Sequence, residues 1–346
     1  MKMRAGVYHG YNVLKIEDWD LPQVPNGYAL VQVSHCGISR MDVASFFGES
    51  PLVIPPRILG HEICGTVRDL IQTEGEGIAL GAKVLVNPII SCGDCSQCLV
   101  GRSNYCENKK FIGLDVDGGF AEFVKVPARN LIALADQASV EHYVLAFPLG
   151  VAHHMVSCID FEEVNHVLII GCGPVGLLSG LIILKRENIR VDVIETNSFR
   201  LNIARNLGLF PIDGSRNQIQ NVAKRRCLPG KDGPDVVIET SGNQSSLSLA
   251  AQLVRVKGQI IVSDSVPDTV SLNFMTLVEK ELSLVGSSMY TQEDFHKSIS
   301  DISRQDIEYG SLITHRLPLD GVVEGIRILK NVEETMKIVV RIGNEG

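Results

Sequence analysis

Residues 166–195 constrain the fold more than any other stretch. His166-Val167-Leu168-Ile169-Ile170 is an apolar run of strand length, and it ends at Gly171-Cys172-Gly173-Pro174-Val175-Gly176. An apolar helical stretch, Val175 to Lys185, starts inside that turn. A second strand, Val191-Asp192-Val193-Ile194, closes on Glu195, nineteen positions after Gly176. Strand, glycine turn, helix and strand in this order make a parallel βαβ unit. The alternation continues with Asp235-Val236-Val237-Ile238, a helix over Ser245 to Val254, and Gln259-Ile260-Ile261-Val262. The second half is therefore expected to be a doubly wound parallel sheet.

The turn also carries chemistry. Its glycines permit a tight bend and close approach of the backbone to a pyrophosphate, and the helix start adds free N–H groups and a positive dipole end. Gly171, Gly173, Pro174, Val175 and Gly176 are candidate dinucleotide contacts. Glu195 can take both ribose hydroxyls of an adenosine and repel a 2′-phosphate, which favours NAD over NADP. Arg200 is the counter-signal, since a nearby guanidinium can accommodate that phosphate. The bland alternative is a glycine turn with no ligand.

The first half differs. Tyr28-Ala29-Leu30-Val31-Gln32-Val33-Ser34 alternates like a half-buried strand. Gly81 to Val86 and Gly118 to Val124 each read as a turn entering a strand. Glycine and proline punctuation of short strands suggests a small β-barrel. A formal charge of −8 and 5% aromatic residues argue against nucleic acid as a partner. No apolar run reaches membrane-spanning length and the first residues lack a signal-peptide core, so a cytoplasmic protein with no membrane partner is expected.

Nine cysteines then read as reduced thiols rather than a disulfide framework. Cys92, Cys95, Cys98 and Cys106 lie within fifteen residues, in a lobe spanning about 90–107. Four thiolates so spaced can close a tetrahedral shell on one structural Zn²⁺; redox thiols are the alternative. Cys64, Cys158, Cys172 and Cys227 are expected to be buried free thiols. His35, His153 and His154 are expected to be structural, and Lys224-Arg225-Arg226 to be an exposed helix end.

The cysteine quartet, the glycine turn, Gly60-His61-Glu62 and Asp117-Gly118-Gly119-Phe120-Ala121-Glu122-Phe123 together resemble the zinc-containing medium-chain dehydrogenases. Asp235 to Gly242 and Gly286-Ser287-Ser288-Met289-Tyr290 are similar to nucleotide-domain segments of the polyol, threonine and butanediol branch, which makes Thr240 a further candidate cofactor-binding residue. The resemblance spans essentially the whole chain. It implies a GroES-like catalytic domain (1–148), a Rossmann nucleotide domain (149–290) and a tail (291–346) returning to the first. It also implies NAD(P), a small-molecule substrate and a homodimer or homotetramer.

The chain departs from that family at one place. The catalytic zinc there takes a cysteine from a Gly-Ile-Cys-x-Thr/Ser-Asp segment, the histidine of Gly-His-Glu, and a later acidic or cysteine ligand. Here the first segment reads Gly37-Ile38-Ser39-Arg40-Met41-Asp42, and the third position falls on Phe147. Asp42 keeps the position that orients the histidine; Cys36 is expected to point elsewhere, and His153 is a conceivable recruit. His61, Glu62, Ser39, Arg40 and Asp42 are the candidate catalytic residues. The alternative reading of His61 and Glu62 is an ancestral pair packed in the cleft or hydrogen-bonded to Asp42.

A hydroxyl with a pKa near water's lies roughly nine units above neutral pH, a deficit of roughly 12 kcal/mol. A positioned base supplies only about 3–5 kcal/mol. The leading expectation is therefore an NAD(H)-dependent oxidoreductase that transfers hydride to or from a small polar or activated substrate, with structural zinc kept and catalytic zinc absent or atypical. A conventional zinc polyol, sugar or amino-alcohol dehydrogenase is the second reading. A nucleotide-binding protein without turnover is the third.

Overall fold

A computed structural model describes residues 1–71, 77–134, 138–215, 219, 229–230, 232–263, 270–305, 307–331 and 334–343. Cys227 and the Lys224-Arg225-Arg226 run lie outside the described residues. The chain divides into two compact units, Met1–Phe147 with His296–Gly346, and Pro148–Phe295.

The first unit is built on strands. β1 (Lys2–Gly10) and β2 (Val13–Asp20) form a hairpin, and β3 (Tyr28–Ile38) leads into helix α1 (Arg40–Phe46). Next come β4 (Arg57–Ile58), β5 (Glu62–Ile71), β6 (Lys83–Val86) and β7 (Ile89–Ile90). The short helix α2 (Ser96–Leu99), β8 (Lys110–Phe111), β9 (Phe123–Pro127) and β10 (Leu131–Ala133) complete the N-terminal part. β3 pairs antiparallel with β5 on one side; on the other it takes β9 along Tyr28–Gln32 and, from the C-terminal tail, a last strand along His35–Ile38. Val31, Val33, Ile63, Val67, Val84, Phe120 and Val124 are buried in this unit. The turn expected to enter a strand over Gly118 to Val124 runs to Glu122, and β9 begins at Phe123: Gly118 and Gly119 lie so close to Gly60 and Ile63 that a Cβ on either would clash, so these residues serve as a packing loop.

The second unit follows helix α3 (Ala146–Ser157). Its strands are β11 (His166–Ile170), β12 (Arg190–Glu195), β13 (Phe210–Asp213), β14 (Val236–Glu239), β15 (Gln259–Ser263) and β16 (Ser283–Ser287). They form one six-stranded parallel sheet in the order β13-β12-β11-β14-β15-β16. Helices α4 (Pro174–Leu184), α5 (Ser198–Asn206), α6 (Gln244–Leu253) and α7 (Phe274–Lys280) alternate with the strands. Leu168, Ile170, Ile194, Val237, Ile260, Leu247 and Ala250 make one apolar cluster between sheet and helix. The strand order reverses between β11 and β14, and the carboxyl ends of strands at such a reversal are where this topology opens a ligand crevice.

Helix α8 (Gln292–Arg304) leads back to the first unit. There β17 (Ile313–Pro318) is followed by α9 (Val322–Asn331) and β18 (Lys337–Arg341). The segment after β17 starts with a 3-10 turn at Leu319–Gly321 and becomes α-helical at Val322. Pro318 fixes the entry and cannot donate to the first turn. β18 lies between β17, its parallel neighbour, and β3.

Candidate functional site

The glycine turn sits at the reversal, after β11. Gly171 has φ +97°, and a Cβ on Gly176 would lie 2.1 Å from Gly171 O. Helix α4 therefore packs against the turn only because both residues lack side chains. Gly173 is the N-cap of α4 and Pro174 its first residue, with no side chain capping the helix start. By contrast, Asn197 caps α5 and Asn273 caps α7 with side-chain oxygens. An anion is what the bare start of α4 can accept, so the residues fit a dinucleotide pyrophosphate.

Glu195 closes β12 beside this turn. Its Oε2 accepts the Cys172 N–H at 2.9 Å, and its Oε1 accepts those of Thr196 and Asn197 at 2.7 and 3.0 Å. Arg200 Nη1 lies 4.0 Å from Oε2, with both side chains largely buried, so its charge is opposed by the carboxylate. Burial pushes the Cys172 thiol up to about 12, so it stays protonated. Thr240, after β14, faces the turn from the other side: its hydroxyl lies 2.9 Å from Gly171 O and 3.2 Å from Ile170 O.

The second candidate centre lies in the first unit, around His61. Gly60 (φ +91°) sets the histidine at the head of β5, and a Cβ there would meet Cys36 Sγ at 2.8 Å. His61 is fully buried. Its ring packs edge-on against Phe147 at 4.7 Å and Phe111 at 5.2 Å between centroids. Neither ring nitrogen has a hydrogen-bond partner. Desolvation lowers its pKa to about 4, so the imidazole is neutral at neutral pH.

Asp42 does not hydrogen-bond this ring, contrary to one expectation: its Oδ1 stands 4.0 Å from Nδ1. That oxygen accepts the Gly60 N–H at 3.0 Å, while Oδ2 accepts the Ser39 N–H at 2.8 Å and hydroxyl at 2.7 Å. Ser39 is thus the N-cap of α1 in a capping box with Asp42. Its hydroxyl also accepts the N–H groups of Met41 and Asp42. Arg40 is exposed at the first position of α1.

Glu62, beside His61, forms a buried ion pair with Lys337 of β18. The pair sits where Gly37 has no side chain: a Cβ there would lie 1.9 Å from Glu62 Oε2. Burial pushes Glu62 up to about 7 against the pull of Lys337. Lys337 escaped the reading of the sequence, although a lysine inside Met336-Lys337-Ile338-Val339-Val340 is a signal that a buried carboxylate awaits it. Cys36 is also fully buried, its Sγ directed toward Gly60 and Gly119, and desolvation raises its pKa well above the ordinary thiol range. His153 belongs to the other unit. The side chains around His61 thus include a spent N-cap hydroxyl, a phenyl ring and a carboxylate already paired, and they do not compose the three-ligand shell of a catalytic zinc.

The cysteine lobe does compose a shell. The four Sγ atoms of Cys92, Cys95, Cys98 and Cys106 lie within 4.8 Å of one another. Cys92 Sγ is 3.4 Å from Cys106 Sγ and 3.9 Å from Cys98 Sγ. Zn–S bonds near 2.3 Å in a tetrahedron require sulfurs about 3.8 Å apart, so the quartet fits Zn²⁺. Backbone N–H groups of Cys92 and Cys95 donate to neighbouring sulfurs. Among the described residues this is the one cluster of three or more such side chains able to hold an ion.

Two other histidines are held by polar neighbours. His35 Nδ1 pairs with Ser34 Oγ at 3.1 Å, and His154 Nδ1 with Asp294 Oδ2 at 2.8 Å. No described helix is long and apolar enough to cross a membrane.

Comparison with known proteins agrees with this architecture. Residues 25–136 match the alcohol dehydrogenase GroES-like domain, and residues 174–304 the zinc-binding dehydrogenase domain. L-Galactonate-5-dehydrogenase of Escherichia coli K12 is 30% identical over 330 residues, covering 93% of this chain and 95% of its own. The NADH complex of the alcohol dehydrogenase RspB from E. coli CFT073 superposes with a TM-score of 0.88 at 25% identity, covering 98% of this chain and 99% of that one. A Sinorhizobium meliloti protein solved with NADP gives 0.89 at 26%, with 99% of each chain covered. The chain belongs to the zinc-type, alcohol dehydrogenase-like family of medium-chain dehydrogenases and is an NAD(P)-dependent dehydrogenase or reductase.

Proposed function

We propose that this protein is an NAD(H)-dependent oxidoreductase that keeps the structural zinc and works without the family's catalytic zinc. The observation that carries the reading is the Phe147 ring, 4.7 Å from His61, in the place of the third ligand. The Ser39 hydroxyl, held in a capping box, supports it.

Bound nicotinamide supplies the hydride chemistry, and the residues divide the rest of the work. The start of α4 holds the pyrophosphate, and Glu195 takes the adenosine ribose. Because Arg200 is opposed by Glu195 rather than directed at a 2′-phosphate, NAD is favoured over NADP. At the His61 centre the neutral imidazole and the Glu62–Lys337 pair supply hydrogen bonds and fixed charge, with the phenyl rings excluding water. Such a centre lacks the Lewis acid that would ionise an aliphatic alcohol. It suits a small polar substrate that is already activated: a carbonyl, a conjugated double bond or an iminium.

Among the described residues the parallel sheet ends at β16, and this edge suggests a homo-oligomer. β16 is its outer strand and carries no charge or proline, Leu284 is exposed on it, and α7 exposes Phe274, Met275 and Val278. An uncovered edge of that kind invites pairing with a second copy. Reduced zinc thiolates favour the cytoplasm. Metal analysis of the purified protein tests the main reading: about one zinc per chain is expected, and about two, with the second ion on His61, would replace it with a conventional zinc dehydrogenase.

A further inference from the structure

The turn between β11 and α4 has a polarity problem. A pyrophosphate must meet N–H groups, yet the same four or five peptides carry carbonyl oxygens, and a lone pair turned toward a phosphate repels it. The N–H groups of Gly171 and Cys172 are already committed inward, to Ile194 O at 2.9 Å and to Glu195 Oε2 at 2.9 Å. What remains for an anion is the uncapped start of α4, whose direction depends on how the Gly171 peptide is held.

Thr240 holds it. Its N–H donates to Ile170 O at 2.9 Å, continuing the β11–β14 pairing by one residue. Its hydroxyl proton is shared between Gly171 O at 2.9 Å and Ile170 O at 3.2 Å. The fit is close: a Cβ on Gly171 would lie 2.9 Å from Thr240 Oγ1, and one on Gly176 would lie 2.7 Å from it. The hydroxyl thus stands where the first and third glycines of the turn cross. Ser241 and Gly242, the next residues, are themselves fixed by the buried Glu239 carboxylate, which accepts both of their N–H groups. The loop after β14 is therefore rigid enough to act as a stop.

We infer that Thr240 is a positioning residue for the cofactor: its hydroxyl holds the Ile170 and Gly171 carbonyls behind the turn and so aims the N–H groups of α4 at the pyrophosphate. This rests on the NAD(H) reading above. Thr240 is then a brace behind the turn, acting on the pyrophosphate through Gly171. Serine can do the same work; valine, with the same shape and no donor, cannot.

Fluorescence titration with NADH, and competition by ADP and by adenosine, separates the possibilities. Thr240→Val is expected to weaken NADH and ADP by about tenfold, the size of one lost hydrogen bond. Adenosine, which has no phosphate, should bind as to the wild type, and Thr240→Ser should restore NADH and ADP. Unchanged NADH affinity in Thr240→Val, or equal weakening of NADH and adenosine, overturns the brace. Thr240→Ala serves if the valine variant does not fold, and failure of both to fold overturns it too, since the hydroxyl would then be a folding determinant. A wild-type protein that does not bind NADH sinks the cofactor reading itself; one that binds it as well as Thr240→Val does sinks the brace alone.

Discussion

With Phe147 beside its ring and Ser39 serving as a helix cap, His61 is a buried imidazole that, on the proposed reading, has no ligand set. Two side chains separate this arrangement from a complete shell, because His61 and Glu62 are still in place. Ser39→Cys with Phe147→Glu is therefore expected to raise bound zinc from about one to about two per chain by elemental analysis. A count that stays near one would show that the backbone around His61, and not these two side chains, refuses the ion. Lys337 makes a separate point about the same centre. Removing its charge as Lys337→Met strands the Glu62 carboxylate in the interior, and urea unfolding should show a loss of about 3–5 kcal/mol. Adding Glu62→Gln removes the stranded charge and should recover most of that loss; no recovery would mean that Lys337 matters through its stem alone. The Ser39 and Phe147 departures were legible in the sequence because motifs fix their neighbours. The Glu62–Lys337 pair was not, because 275 positions separate the two residues and only the pairing of β18 with β3 brings them together.

At the scale of elements, apolar periodicity was sufficient for the nucleotide unit, where strands buried on both faces alternate with helices. In the first unit the glycines marked the turn that enters β9, but not the approach of Gly60 that holds Gly118 to Glu122 in a loop. Side-chain capping was also invisible in the sequence. Lys280 Nζ, at the end of α7, lies 3.0, 2.8 and 2.8 Å from the carbonyls of Ala251, Gln252 and Val254, closing the C-terminus of α6. Lys280→Met should remove about 1 kcal/mol of stability; an unchanged denaturation midpoint would mean water replaces the ammonium at no loss.

Glu141 provides a pH-dependent clasp of the same kind. It accepts Arg316 of β17 at 2.8 Å and Arg341 of β18 at 3.1 Å, and these partners, Arg316 first, hold its carboxyl down to about 2. A carboxyl depressed below its unfolded value of 4.5 binds fewer protons folded than unfolded. Its contribution is thus complete above about pH 4.5 and is lost as the pH falls toward 2. Glu141→Gln should flatten the acid limb of stability against pH in that window; an identical limb would assign the acid sensitivity to other carboxylates.

For the whole molecule, the two compact units carry the candidate sites for two different stabilisers, and this makes the division testable. The cysteine lobe belongs to Met1–Phe147 with His296–Gly346, the glycine turn to Pro148–Phe295. A thiolate-bound zinc contributes directly to folding free energy, whereas a ligand that binds only the folded state stabilises it by mass action, about 2.7 kcal/mol at one hundred times Kd. Zinc removal and NADH addition should therefore act on different units. In differential scanning calorimetry, Cys95→Ser is expected to lower the melting of the first unit and leave the NADH-dependent rise of the second. If the variant melts like the wild type, metal does not hold the lobe. If Cys95→Ser also abolishes the rise with NADH, cofactor binding depends on the lobe, and the two stabilisers are coupled through the whole chain.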